Sequence, residues 1–207
     1  MLPLFHDFEG RRVVIVGGGP VAVRKARTFG EEADVTVIAP EFLEGFSDLE
    51  CTLDRRALEP GDAPEVVADA ALVVPATDDR ALNDAIERAG DEAGCLVNRV
   101  DRRGDVVTPS RARSEEVTIA ISTGGSSPAT SKYLRKQIEP LLERVDPMVA
   151  LQAELREELR TADGVPPGKR REALWAVLED GDVWTCLEDG DLEAARERAR
   201  DLIGTLE

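Results

Sequence analysis

The sequence predicts an α/β protein whose first half is a parallel sheet with helices on both faces. Three observations carry this reading. The β-branched run Val13 to Val16 leads through Gly17-Gly18-Gly19 into a helix-like segment. Strand-like and helix-like segments then alternate to about residue 100. Beyond residue 104 the alternation stops, and from Pro147 the chain reads as helix interrupted by turn residues.

Val13 to Val16 has the length of a buried strand. Gly17, Gly19 and Ala22 after it fit the G-x-G-x-x-G/A dinucleotide fingerprint of Rossmann-type domains. Gly17 permits the tight turn, Gly19 lets a pyrophosphate approach the backbone, and Ala22 keeps the helix close to the sheet. Gly18, Pro20 and Val21 complete the loop, with Pro20 suited to a first helical turn. Amides at the helix start would face the phosphates. The helix is expected to run to Glu32, and Asp34 to Ala39 reads as the second strand. An acid near that strand end often holds the ribose hydroxyls. Position 39 is Ala and the nearest acid is Glu41, so this position does not decide between NAD and NADP.

Cys51 to Ala57 reads as a third strand and Ala71 to Ala76 as a fourth. Thr77-Asp78-Asp79 caps a helix from Arg80 to about Glu92, with Leu82, Ala85, Ile86 and Ala89 at helical spacing. Cys95 to Val100 reads as a fifth strand, ending in Asn98-Arg99-Val100-Asp101. A ligand crevice belongs at the carboxyl ends of such strands. Gly17 to Gly19, Thr77-Asp78 and Asn98 to Asp101 would gather there.

Asp105 to Thr108 and Val117 to Ser122 are strand-like, with no long helix between them. Thr123 to Pro128 is a turn that opens a helix carrying Lys132, Arg135 and Lys136 on its exposed side. Breaks follow at Gly164 to Gly168, Asp180-Gly181 and Asp189-Gly190. The expected domains are 1–104, a dinucleotide-binding domain; 105–145, a small α+β region; and 146–207, a helical domain.

At 207 residues with a net charge of −16, the chain is strongly acidic, and its only lysines are Lys25, Lys132, Lys136 and Lys169. High acidity with little lysine suggests a protein adapted to high salt, where self-repulsion is screened. It argues against a general nucleic-acid partner. No apolar run reaches the ~18 residues of a membrane span, and the start lacks the pattern of a signal peptide. Cys51, Cys95 and Cys186 form no zinc spacing or disulfide framework, which suits a reducing cytoplasm. With His6 as the only histidine, no preformed transition-metal cage is expected.

Four motifs in order resemble the precorrin-2 dehydrogenase family, of the siroheme-synthase N-terminal type: Pro3-Leu4-Phe5, the loop Gly17 to Lys25 with its Arg24-Lys25 pair, Asn98-Arg99-Val100-Asp101, and Ile119 to Pro128. The resemblance implies a three-part architecture with an intertwined homodimer. It also implies oxidation of precorrin-2, a tetrapyrrole, to sirohydrochlorin, with NAD as hydride acceptor. Some members also insert ferrous iron. The family's catalytic aspartate matches Asp101, a carboxylate placed to move a proton as hydride leaves.

The implied substrate carries eight carboxylates. Arg99, Arg102, Arg103, Arg111 and Arg113 stand against Asp101 and Asp105 in one stretch, and guanidinium forks suit carboxylates. Arg99, Arg102, Arg111 and Arg113 are therefore candidate substrate contacts, as are Ser122, Thr123, Gly124 and Gly125, whose turn offers amides and hydroxyls. Thr123 stands where some relatives have serine. A non-catalytic NAD-sensing module would need the glycine loop but neither Asp101 nor the arginines.

Overall fold

The computed structural model describes residues 3–162 and 165–204. Gly164, expected in a helix break, lies outside them. The chain forms two compact units, one ending at Thr108 and the other beginning at Pro109.

The first unit holds a five-stranded, all-parallel sheet: β1 (Arg12–Val16), β2 (Asp34–Ala39), β3 (Thr52–Arg55), β4 (Leu72–Pro75) and β5 (Leu96–Val97). The strand order is β3-β2-β1-β4-β5, so direction of travel across the sheet reverses between β1 and β4. That reversal is where doubly wound sheets bind their ligands. Period-two alternation divides β1 between two cores. Val14 and Val16 join Ile38, Val66, Val73, Leu82 and Ile86 on one face. Val13 and Ile15 join Ala22, Ala26, Val35, Val37 and Val74 on the other.

Helix α1 (Pro20–Phe29) turns Ala22 and Ala26 to the sheet, both buried. Two small residues one turn apart let the helix lie close, as expected for Ala22. It ends earlier than Glu32, with Gly30 as its cap. A short α2 (Ala63–Val67) precedes β4. Helix α3 (Arg80–Ala93) starts where Asp79 accepts the amides of Ala81 and Leu82 at 2.8 and 3.1 Å. It stops at left-handed Gly94.

Two expectations change here. β5 pairs over only two residues; the Asn98 amide still donates to the Val73 carbonyl at 2.9 Å, and its side chain bonds Lys25 and the Val106 carbonyl beyond the strand. Asp105 to Thr108 is not a strand. Its β-branched residues mimic one, but the carbonyl of Val106 and the hydroxyl of Thr108 bond side chains instead.

The second unit opens with the antiparallel pair β6 (Ser110–Arg113) and β7 (Thr118–Ile121). Helix α4 (Pro128–Thr161) follows, capped by Ser127. It runs unbroken through Pro140, Pro147 and the anticipated division near residue 145. Each proline removes a helical donor, and the Asp146 carboxylate beside Pro147 is also used locally. It accepts the Ser114 hydroxyl at 2.7 Å and the amides of Glu115 and Glu116, tying the β6–β7 turn to α4. Helices α5 (Pro167–Glu179), α6 (Gly181–Glu188) and α7 (Leu192–Gly204) pack on α4 around Met148, Leu151, Leu155, Val177 and Val183. The ion pairs Glu154–Arg196 and Glu158–Arg200 lace α4 to α7. Among the described residues no helix is long and apolar enough to cross a membrane.

Candidate active site

At the reversal point of the sheet lies a cavity of about 740 Å³. The glycine loop, the Pro40–Leu43 turn after β2 and the Ala76–Asp79 turn after β4 form its walls. The three glycines do different jobs. Gly17 has φ +129°, and a Cβ there would sit 2.4 Å from the carbonyl oxygen of Ala76. A Cβ on Gly18 would sit 1.8 Å from the carbonyl oxygen of Glu41. A Cβ on Gly19 would meet no protein atom within 4 Å. The first two glycines are thus required by the fold, whereas Gly19 faces open space at the helix start. There the helix offers no carbonyl to the amides of Val21 and Ala22, and Pro20 has no amide to satisfy. Donors without helical partners and room for a bulky anion fit a pyrophosphate.

A second cavity, of about 820 Å³, opens at the opposite edge of the sheet among Asp7, Glu9, Glu31, Glu32, Asp34 and Glu50. Its acidic lining at the strands' amino ends repels such a ligand.

Glu41 and Thr77 both line the first cavity. Thr77 is held from behind by buried Asn83. Its hydroxyl donates to Asn83 Oδ1 at 2.8 Å, and Asn83 Nδ2 donates to the Thr77 carbonyl at 2.8 Å. Arg56 also lines the cavity and is paired with Asp54 and Glu65, each at 2.9 Å.

Asn98 is buried at the end of β5. Lys25 Nζ donates to its Oδ1 at 2.6 Å and to Thr108 Oγ1 at 2.8 Å, while Asn98 Nδ2 donates to the Val106 carbonyl at 2.8 Å. In these bonds Asn98 has a supporting role. Asn98 and Lys25 bolt the irregular 98–108 segment to α1. Burial, with help from neighbouring Arg24, lowers the Lys25 pKa to about 8.

Arg99 also departs from expectation. Its guanidinium side chain is 0% exposed. Nη1 bonds Asp84 and Glu87 of α3, both at 2.8 Å, while Nε and Nη2 grip Asp101 Oδ1 and Oδ2 at 2.8 and 2.6 Å. A side chain so enclosed has no surface to offer a substrate. Arg102 is half exposed and also pairs with Glu87 and Asp84. The fork from Arg99 pulls the Asp101 pKa down to about 2. Asp101 keeps 30% of its side chain exposed.

The remaining candidates belong to the second unit. Arg111 and Arg113 lie on β6, flanking fully buried Ala112. Gly124 and Gly125 are left-handed, at φ +63° and +86°. Ser122 Oγ accepts the Gly124 amide and Thr123 Oγ1 accepts the Ser127 amide, both at 3.1 Å. Sequence reasoning missed Asn83, Asp84, Glu87 and Asp146 and gave Lys25 no role. The Arg24-Lys25 pair and the polar Asn83, Asp84 and Glu87 grouping on one helix were the available signals. Among the described residues no group of three or more His, Cys, Asp or Glu side chains is arranged to hold a metal ion.

An NAD(P)-binding family profile matches residues 4–110, and a sirohaem biosynthesis central-domain profile matches residues 116–140. The precorrin-2 dehydrogenase of Methanosarcina barkeri is 39% identical over 99% of this chain and 94% of its own length. The chain belongs to the precorrin-2 dehydrogenase family. A siroheme synthase of Pseudomonas aeruginosa is 32% identical over 88% of the chain, which spans 40% of that longer protein. The solved precorrin-2 dehydrogenase SirC matches with a TM-score of 0.73 over 97% of this chain and 100% of its own, at 23% identity, and so shares the fold. The NAD(P)-binding profile and the family support a nicotinamide dinucleotide as cofactor.

Proposed function

We propose that the chain oxidises precorrin-2 to sirohydrochlorin, with NAD as hydride acceptor, in siroheme biosynthesis. The observation that carries this is the Gly19 cavity in a chain matched nearly end to end by a precorrin-2 dehydrogenase. The nicotinamide ring supplies the hydride acceptor. The Gly17 to Ala22 loop holds the pyrophosphate, Glu41 the ribose, and Thr77 the turn beside it. Glu41 together with a doubly paired Arg56 favours a 2′-hydroxyl over a 2′-phosphate. Asp101 is the carboxylate that serves the oxidation. Arg102, Arg111, Arg113 and the Ser122–Gly125 turn are assigned to substrate carboxylates on charge and donor chemistry. Three free cysteines suit the cytoplasm. Incubation with precorrin-2 should produce the sirohydrochlorin spectrum with NAD and far more slowly with NADP. A flat spectrum with either cofactor sinks the reading. Ferrous iron added afterwards reports metal insertion by a second spectral change.

The enzyme is further proposed to be a homodimer built on α4. Leu134, Ile138, Leu141 and Val145 recur at spacings of four, three and four, an apolar stripe along one helix face. Leu141 is 52% exposed, and neighbouring Tyr133 is 62% exposed. The two-stranded β6–β7 sheet also leaves edges to cover. Light scattering in molar salt should give a dimer, and Leu134→Asp with Leu141→Asp should give a monomer. A wild-type monomer across the micromolar range contradicts the assignment.

A further inference from the structure

We infer that Arg99 is a positioning residue for the oxidation: held by α3, its planar fork aims the Asp101 carboxylate. The inference rests on the reading of Asp101 as the carboxylate that serves the reaction.

Arg99 follows β5 with its side chain enclosed, and its planar fork is anchored on one side before it meets Asp101 on the other. The anchor is α3, which presents the Asp84 carboxylate, the Glu87 carboxylate and the Asn83 carbonyl. Helix α3 is itself fixed by its Asp79 cap and by the Thr77–Asn83 bonds. The guanidinium is therefore held in one plane by a rigid element, and the two remaining donors set the plane of the Asp101 carboxylate. Gly104 packs its backbone along the Arg99 stem, where a Cβ would stand 3.6 Å from Arg99 Cβ. The whole arrangement lies within the first unit.

A bidentate grip does not exhaust the carboxylate. Each oxygen has about two acceptor directions, and the fork uses one of each. The Asp101 amide takes up part of what is left, and the side chain is 30% exposed, so Asp101 can still accept from a substrate N–H. The charged groups around the pair are Asp84 and Glu87 from α3, and Arg102 from the same segment. The two acids bind Arg99 from behind and hold it charged. Arg102 adds positive charge near Asp101 and favours its ionised form.

The direction of the pH effect follows. An unperturbed aspartate has a pKa of ~3.9. With the grip in place the folded value is depressed, so Asp101 stays ionised as pH falls through 4 and is neutralised only towards 2. Without the fork, protonation moves up to the ordinary range. An oxidation that needs a negative carboxylate beside the macrocycle then loses rate at a higher pH.

The test uses the full-length protein. Asp101 is followed by carbon-13 NMR of its carboxyl carbon, assigned by difference with Asp101→Asn. In the wild type it should remain ionised at pH 3, and an ordinary midpoint near 4 overturns the inference with no variant needed. Arg99→Lys keeps a buried cation but loses the fork. It should raise the Asp101 midpoint to ~4 and move the acid limb of kcat/KM up with it, while the KM for NAD stays within twofold. Arg99→Lys with an unmoved midpoint, or a moved midpoint with an unmoved acid limb, overturns the positioning role. Normal turnover in Asp101→Asn instead shows that the fault lies in the role given to Asp101, whatever Arg99 does to its ionisation.

Discussion

Gly19→Asp should raise the dissociation constant for NAD by a factor of about 10² or more, with the melting temperature unchanged to within a few degrees. The new side chain meets no protein atom, since an added Cβ at Gly19 has nothing within 4 Å. The backbone there, at φ −87°, is one that any residue adopts. The cost therefore falls on the ligand. A carboxylate at ~4 Å from a pyrophosphate charge opposes binding by about 1 kcal/mol in water and about 4 kcal/mol at an effective dielectric of 20, and its bulk fills the space the phosphates need. Gly18→Ala is the contrasting control. Its methyl carbon would lie 1.8 Å from the Glu41 carbonyl oxygen, so the Pro40–Leu43 turn must move and stability falls with affinity. Titration by calorimetry alongside thermal unfolding separates the two. A folded Gly19→Asp protein that binds NAD normally removes the nucleotide reading.

Asp101→Ala should lower precorrin-2 turnover by roughly 10²–10⁴-fold, the usual worth of a positioned carboxylate, while NAD affinity stays within a few-fold. Loss of a hydride leaves the macrocycle with a positive charge and a proton to release. An anionic group in reach favours both. The side chain lies outside the cavity that holds the glycine loop, so cofactor affinity has little reason to change. Single-turnover kinetics with saturating NAD isolates the chemical step. Near-normal single-turnover rates would leave Asp101 as a loop residue and place the chemistry elsewhere.

The fold around the glycine loop was legible because its signals are local. Asp34–Ala39 is bounded by its own β-branched run and by Pro40, and strand and reading coincide. Gly17 to Ala22 carries its meaning in spacing alone. The surroundings of Asp101 and Asn98 were less legible because their contacts span long separations. Arg99 reads as one cation in a basic run, and only the fold brings it to Asp84 and Glu87, fifteen and twelve residues earlier. Lys25 and Asn98 are 73 residues apart. Val106 and Val107 misled by propensity, since tertiary bonds from Asn98 and Lys25 fix that segment outside any sheet. The division expected at 145/146 is bridged by α4, whose one run of helix extends from Pro128 to Thr161.

The turn after β2 bears on how the enzyme can change over time. Its path is set by backbone and by Phe42. The Leu43 amide donates to the Gly18 carbonyl at 3.1 Å, and Phe42 packs edge-on to Phe46 beneath the Arg55 guanidinium. The exposed side chain of Glu41 holds none of this in place. With Glu41 in the ribose role proposed above, cofactor choice and architectural integrity would be written at separate positions. A substitution at position 41 should then retune the preference between the two nicotinamide dinucleotides in a single step, without a compensating change in the scaffold.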